Sequence, residues 1–220
     1  MRRRDTDLSN DEKGRPVTRL CYDTEFLEDG KTIDLISIGV VAENGREFYA
    51  VNNECHWYMA NDWVLENVLL PMGIDRQGWM ERDPNMMSPR VREGYLRSRS
   101  RLAIREEMLW YFGSAVTNDE GDGFWDESVK DIEFWAYYGD YDWVAFCQLF
   151  GTMMDLPKGF PMYCRDIKQW CDMLGNPKLP AQGKGEHNAL EDARWNKVAW
   201  EFLNKLGRDD YDEYEMNTMR

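Results

Sequence analysis

The run at residues 33–43 (IDLISIGVVAE) constrains this chain most. Its centre is β-branched and almost wholly apolar, which suits a central strand covered on both faces. Asn44-Gly45 follows at once as a two-residue hairpin-turn signal, and residues 46–51 (REFYAV) return as the partner strand. Residues 17–23 (VTRLCYD) supply one more strand ahead of the hairpin. A chain that begins with three such strands must cover a sheet, and the rest of the sequence supplies the cover.

Residues 60–70 read as a short helix closed by Pro71. Residues 88–112 read as one long helix, with Ser88 as N-cap, Pro89 at the first helical position and a break at Gly94. Residues 131–138 (DIEFWAYY) read as a strand, and 142–150 as a helix ended by Gly151. A short strand closes near Tyr163, a helix covers 166–174, and a final helix runs from 188 to 206 and ends at Gly207. Strands followed by alternating helix and strand predict an α/β fold, a mixed sheet of about five strands with helices on both faces. The expected organisation is a flexible arm at 1–16, one domain at 17–206 and an acidic tail at 207–220.

Charge sets limits on partners. The 220 residues carry 27 Lys and Arg against 41 Asp and Glu, a net charge of −14. Such a chain is not held to nucleic acid by its global field, which excludes a purely electrostatic coat protein. Residues 76–105 run the other way, with eight Arg against three acids. Arg97, Arg101 and Arg105 recur every four residues, so on one helix they share a face. Phosphate contact and a solvated helix face explain them equally well. Residues 119–133 carry seven acids against Lys130 and read as a solvent loop. The five cysteines are odd in number and scattered, with no zinc-type pairs, and Cys55 beside His56 lacks a second pair. With no apolar leader and no membrane-length apolar run, a reduced cytoplasmic setting and no membrane partner are expected.

Three short stretches carry chemistry. Asp23 and Glu25 are two apart in YDTEF at the end of the first strand, so they point to one face. Two carboxylates on one face repel unless a cation lies between them, and a hard divalent ion such as Mg²⁺ suits oxygen ligands. Taken alone, the pair is equally well a solvent-facing edge. In EHNALEDA, Asn188 and Glu191 have capping-box spacing. That leaves His187 in the loop before a helix and Asp192 in its first turns. An imidazole there can take a proton from water near neutral pH. In WAYYGDYD a strand gives way to a helix, so Asp140 or Asp142 sits at the strand edge where open α/β sheets place ligands. One of the two is also expected to cap the helix.

In order, these stretches read D-x-E, then D, then H-x4-D. In that pattern the chain resembles the DEDDh exonucleases of the RNase T-like superfamily, whose fold is RNase H-like. Asp23 and Glu25 match the first motif, Tyr141-Asp142 the second, and His187, Ala189, Asp192 and Ala193 the third. The wording of residues 22–51 is most similar to small bacterial and phage exoribonucleases related to the mycobacterial poly(A)-preferring enzyme. The resemblance implies two Mg²⁺ or Mn²⁺ ions held by Asp23, Glu25, Asp142 and Asp192, with His187 deprotonating the attacking water. It implies 3′–5′ release of nucleoside 5′-monophosphates from single-stranded or 3′-overhang RNA, with single-stranded DNA or a silent binding protein as the alternatives. It implies substrate contacts at Thr24 and Phe26, and Trp143 beside Asp142 is a stacking candidate. It also implies a homodimer, in which Arg97, Arg101 and Arg105 could reach substrate. One departure is Tyr138, which stands where many relatives carry a substrate-holding Asn.

Overall fold

A computed structural model describes residues 17–75, 89–117, 132–183 and 185–218. The expected arm at 1–16 and nearly all of the acidic stretch at 119–133 lie outside them. The described residues form a five-stranded sheet in the order β3-β2-β1-β4-β5. Its strands are β1 (Thr18–Glu28), β2 (Ile33–Ala42), β3 (Glu47–Val51), β4 (Ile132–Ala136) and β5 (Arg165–Asp166). β1, β2 and β3 pair antiparallel, while β4 joins β1, and β5 joins β4, in parallel. This is the mixed α/β sheet expected, consistent with an RNase H-like fold.

The hairpin forms with one more loop residue than its signal implies. Gly45 N–H donates to Ala42 O at 2.9 Å, and Ala42 N–H to Arg46 O at 2.8 Å. Gly45 then takes φ +85, the left-handed residue that closes a three-residue loop.

Alternation along β1 sorts its side chains. Leu20 and Tyr22 enter one core with Phe112, Phe134 and Phe146. That core is roofed by α3 (Arg101–Thr117) and α4 (Asp140–Phe150). Cys21 enters a second core on the opposite face with Ile167, Cys171 and Trp200. Those side chains come from α5 (Ile167–Met173) and α6 (Ala189–Thr218). Asp23 and Glu25 share the parity of Cys21 and therefore face α6. A third cluster sets Ile36 against Trp57, Val68 and Leu69. It draws on α1 (Asp62–Val64) and the π-type turn Leu65–Leu69 that prolongs it.

Three boundaries differ from the sequence expectations. β1 does not stop at Asp23 but runs to Glu28, because β2 pairs with it from Leu20 to Glu28. The long helix at 88–112 is two helices, α2 (Pro89–Arg97) and α3, and the break is not at Gly94. Between them Arg99 N–H donates to Val51 O at 2.7 Å and Arg99 O accepts from Asn53 N–H at 2.8 Å. This link satisfies backbone groups on the edge of β3 that would otherwise be unpaired. Ser100 Oγ then accepts from Ala103 N–H at 3.2 Å and opens α3. Finally, α6 does not end at Gly207 but continues to Thr218. Glycine inside a helix costs about 1 kcal/mol relative to alanine, too little to stop a long cooperative helix.

Candidate active site

Four acids from three separate stretches converge where β1 leaves β4. The β1–β4 ladder ends at Cys21 and Trp135, so Asp23 and Glu25 emerge beyond it. One carboxylate oxygen from each of Asp23, Glu25 and Asp192 lies within 4.8 Å of the others. Asp192 reaches them because α6 starts directly on β2. A Cβ added to Gly39, the β2 partner of Asp23, would lie 2.5 Å from Leu190 Cα and closer still to the Ala189 carbonyl. Asn196, one turn after Asp192, is buried and donates from Nδ2 to Tyr22 O at 2.9 Å, fixing the helix beside Asp23.

Asp142 joins by another route. Its Oδ1 accepts from Thr24 N–H at 2.8 Å and from Thr24 Oγ1 at 2.6 Å. Thr24 lies between Asp23 and Glu25 and is buried. Its N–H and hydroxyl are thus committed to the carboxylate, not presented to a nucleotide. Neither Asp140 nor Asp142 caps α4, whose N-cap is Gly139 with no side-chain bond.

The electrostatics follow from crowding. Burial, then Asp142, Glu25 and Asp192, push the Asp23 carboxyl well above the usual range. Glu25 is raised to about 8, by burial first and then by Asp192 and Asp142. Asp142 rises to about 6 through burial, held back by its two bonds from Thr24. Burial also raises Asp192, against the lowering effect of its hydrogen bonds. A divalent ion would relieve the repulsion and suit an all-oxygen ligand set, so the residues fit a metal centre.

His187 turns back on this cluster. Its φ is +67, and its N–H donates to Asp192 Oδ2 at 3.0 Å. Its ring meets the exposed Trp63 ring edge to face, with centroids 4.8 Å apart. Gln182 Nε2 donates to the other Asp192 oxygen. Asn188 caps α6 through Leu190 and Glu191 N–H groups, while Glu191 pairs with Arg194 in place of the reciprocal capping-box bond. Asp23, Tyr137, Gln182, His187 and Asp192 line a cleft of about 160 Å³.

The other expected contacts separate. Phe26 is half-buried and meets Tyr141, itself 47% exposed, with centroids 5.8 Å apart. Trp143 is no stacking platform, because it is buried and stacks on Phe146 in the core. Tyr138 is exposed, with φ +57, and meets Tyr137. Arg97 does not share a helix face with Arg101 and Arg105, because it lies on α2 and they lie on α3. Arg97 ends α2 paired with Glu93, Arg101 opens α3 beside Asp34, and Arg105 pairs with Glu106. Sequence reasoning missed Gly39, Gln182, Trp63 and Asn196. Only Asn196 carried a signal, four residues after Asp192 on the same helix.

The family model for the 3′-5′ exoribonuclease Rv2179c-like domain matches residues 18–204. This chain belongs to that family. The Rv2179c-like match takes in all four acids and His187. Two relatives from Mycobacterium tuberculosis are 39% identical over 176 residues, covering 80% of this chain and 87% of their own length. They are 3′-5′ exoribonuclease Rv2179c of strain H37Rv and 3′-5′ exoribonuclease MT2234.1 of strain CDC 1551 / Oshkosh. The convergent carboxylates all lie inside the matched range.

Proposed function

We propose that the chain is a 3′–5′ exoribonuclease that removes nucleoside 5′-monophosphates one at a time from single-stranded or 3′-overhang RNA. The convergence of Asp23, Glu25 and Asp192 carries this reading. Those three would hold one divalent ion, and Asp142 with Asp23 would hold a second. Two Mg²⁺ or Mn²⁺ ions held there would supply charge stabilisation for an attacking water and a leaving 3′-oxygen.

The chain's own groups do the rest. His187 lines the cleft and accepts the water's proton at a ring nitrogen. Gln182 and the His187 N–H fix the two Asp192 oxygens. Thr24 keeps Asp142 aimed from α4. Phe26 and Tyr141 offer half-exposed rings on which a 3′-terminal base stacks.

The catalytic domain occupies 17–206, supported by the family match over 18–204. A reduced cytoplasmic setting is part of the proposal and is supported by five free cysteines. No helix among the described residues is long and apolar enough to cross a membrane. A homodimer is also proposed, with sedimentation as its test.

The functional test uses 5′-labelled single-stranded RNA and DNA with Mn²⁺ or Mg²⁺, and with chelator. A metal-dependent ladder from the RNA 3′ end, lost in Asp23→Ala, is expected. Preference for DNA would move the substrate assignment. Loss of neither strand would leave a silent binding protein.

A further inference from the structure

A second cavity, of about 540 Å³, lies beside the carboxylate cleft. Tyr49, Val51 and Ile74 form part of its lining, with Arg97, Arg99 and Asn188 around it. Asn188 adjoins His187, so the cavity begins where the catalytic loop ends.

Strand register fixes its relation to the acids. Asp23 pairs with Gly39 and Gly39 with Tyr49, while Glu25 pairs with Ser37 and Ser37 with Val51. Paired residues point to the same side of a sheet, and two strand spacings span about 10 Å. Tyr49 and Val51 therefore continue the rows of Asp23 and Glu25 toward the sheet edge, a distance that a short stretch of extended nucleic acid crosses.

The lining offers apolar and aromatic faces and two cations, with Glu93 as its acid. Tyr49, 37% exposed, and the apolar floor suit the faces of bases. Arg97 and Arg99 suit phosphate, which a guanidinium binds bidentately. Their present partners, Glu93 and Glu107, are exposed. Such pairs are worth at most about 1 kcal/mol, so a phosphate can replace them. In a chain of net charge −14, a strand needs such local cations to stay bound.

We propose that this cavity holds the nucleotides of single-stranded RNA just 5′ of those at the carboxylates. Their bases rest on Tyr49 and the apolar floor, and their phosphates on Arg97 and Arg99. The assignment rests on the exoribonuclease reading and names the upstream part of its substrate site.

The test compares a dinucleotide with a hexanucleotide of single-stranded RNA, by fluorescence anisotropy on the Mn²⁺-loaded full chain carrying Asp23→Asn. In that background the hexanucleotide binds more tightly. Arg97→Gln with Arg99→Gln loses most of this gain, on the order of tenfold. The salt slope falls by about one for each phosphate contact removed, whereas the exposed Lys205→Gln leaves both unchanged. Arg97→Gln alone, at a side chain 77% exposed, and Tyr49→Ala repeat the test if the double variant does not fold. Should all variants keep the full length gain and salt slope while the parent enzyme shortens RNA, the cavity assignment falls alone. Should the parent neither bind nor shorten RNA, the exoribonuclease reading falls first. A change confined to concentration-dependent sedimentation would make the cavity a contact between copies and overturn the proposal.

Discussion

Gly39→Ala tests how the site is assembled. Gly39 has no positive φ, so alanine is compatible with its backbone, and the whole effect comes from what lies above it. The added Cβ would sit 2.5 Å from Leu190 Cα and against the Ala189 carbonyl, where ordinary contact begins at 3.4 Å. Both obstacles are backbone, so no side chain can swing away. The start of α6 must retreat by about 1 Å, and a displacement of that size costs on the order of 100-fold in rate. Overpacking of this kind also costs about 1–3 kcal/mol of stability. Asp192 and His187 ride on the displaced segment, while Asp23 and Glu25 stay on β1. The expected outcome is a weakened Mn²⁺ midpoint, a rate about 100-fold lower and a modest fall in melting temperature. Gly207→Ala is the control: it meets nothing within 4 Å and should stabilise the helix by up to about 1 kcal/mol. Parental rate, metal midpoint and melting temperature in Gly39→Ala would refute the claim that close approach of α6 builds the site.

Gln182→Ala should weaken Mn²⁺ binding by about 10–100-fold, read by calorimetric titration and by loss of the metal-induced rise in melting temperature. A titration matching the parent would remove Gln182 from the site. The raised carboxyls predict a pH dependence of the metal-free fold. Glu25 in the folded protein titrates near 8, above its ordinary 4.5, so the folded state holds a proton that the unfolded state has released. That stability is fully present below 4.5 and is lost as pH rises through about 8. With chelator present the melting temperature should therefore drop across this window, and the drop should shrink in Asp192→Asn; a flat profile contradicts the crowding argument. Trp143→Ala should cost about 3–5 kcal/mol in denaturant melts. Phe26→Ala should instead weaken single-stranded RNA binding by about 1–3 kcal/mol. The reverse pattern would exchange their roles.

Much of the fold is local in origin and was legible in the order of residues. The apolar run of β2, the turn at Gly45 and the helix start at Asn188 depend on near neighbours, which a sequence displays directly. The acids and His187 stand in short motifs that a sequence displays, and the fold brings Asp23, Glu25 and Asp192 within reach of one ion. Two readings failed because packing overruled local pattern. The repeat of Arg97, Arg101 and Arg105 predicted one face, but the edge of β3 drew Arg99 out of the helix. Trp143 sits beside Asp142, yet the first turn of α4 sends it into the aromatic core and the acid toward Thr24.

By itself the sequence determined that Asp23, Glu25, Asp142, His187 and Asp192 are the candidate groups; tertiary structure decided how they meet and which further residues join them. Asp23 and Asp192 are far apart along the chain, and their approach depends on an absent side chain at Gly39. Gln182 belongs to no motif and acts only because a loop passes Asp192. Sequence periodicity encodes which face a residue takes, but distance across a sheet is set by what packs between the elements.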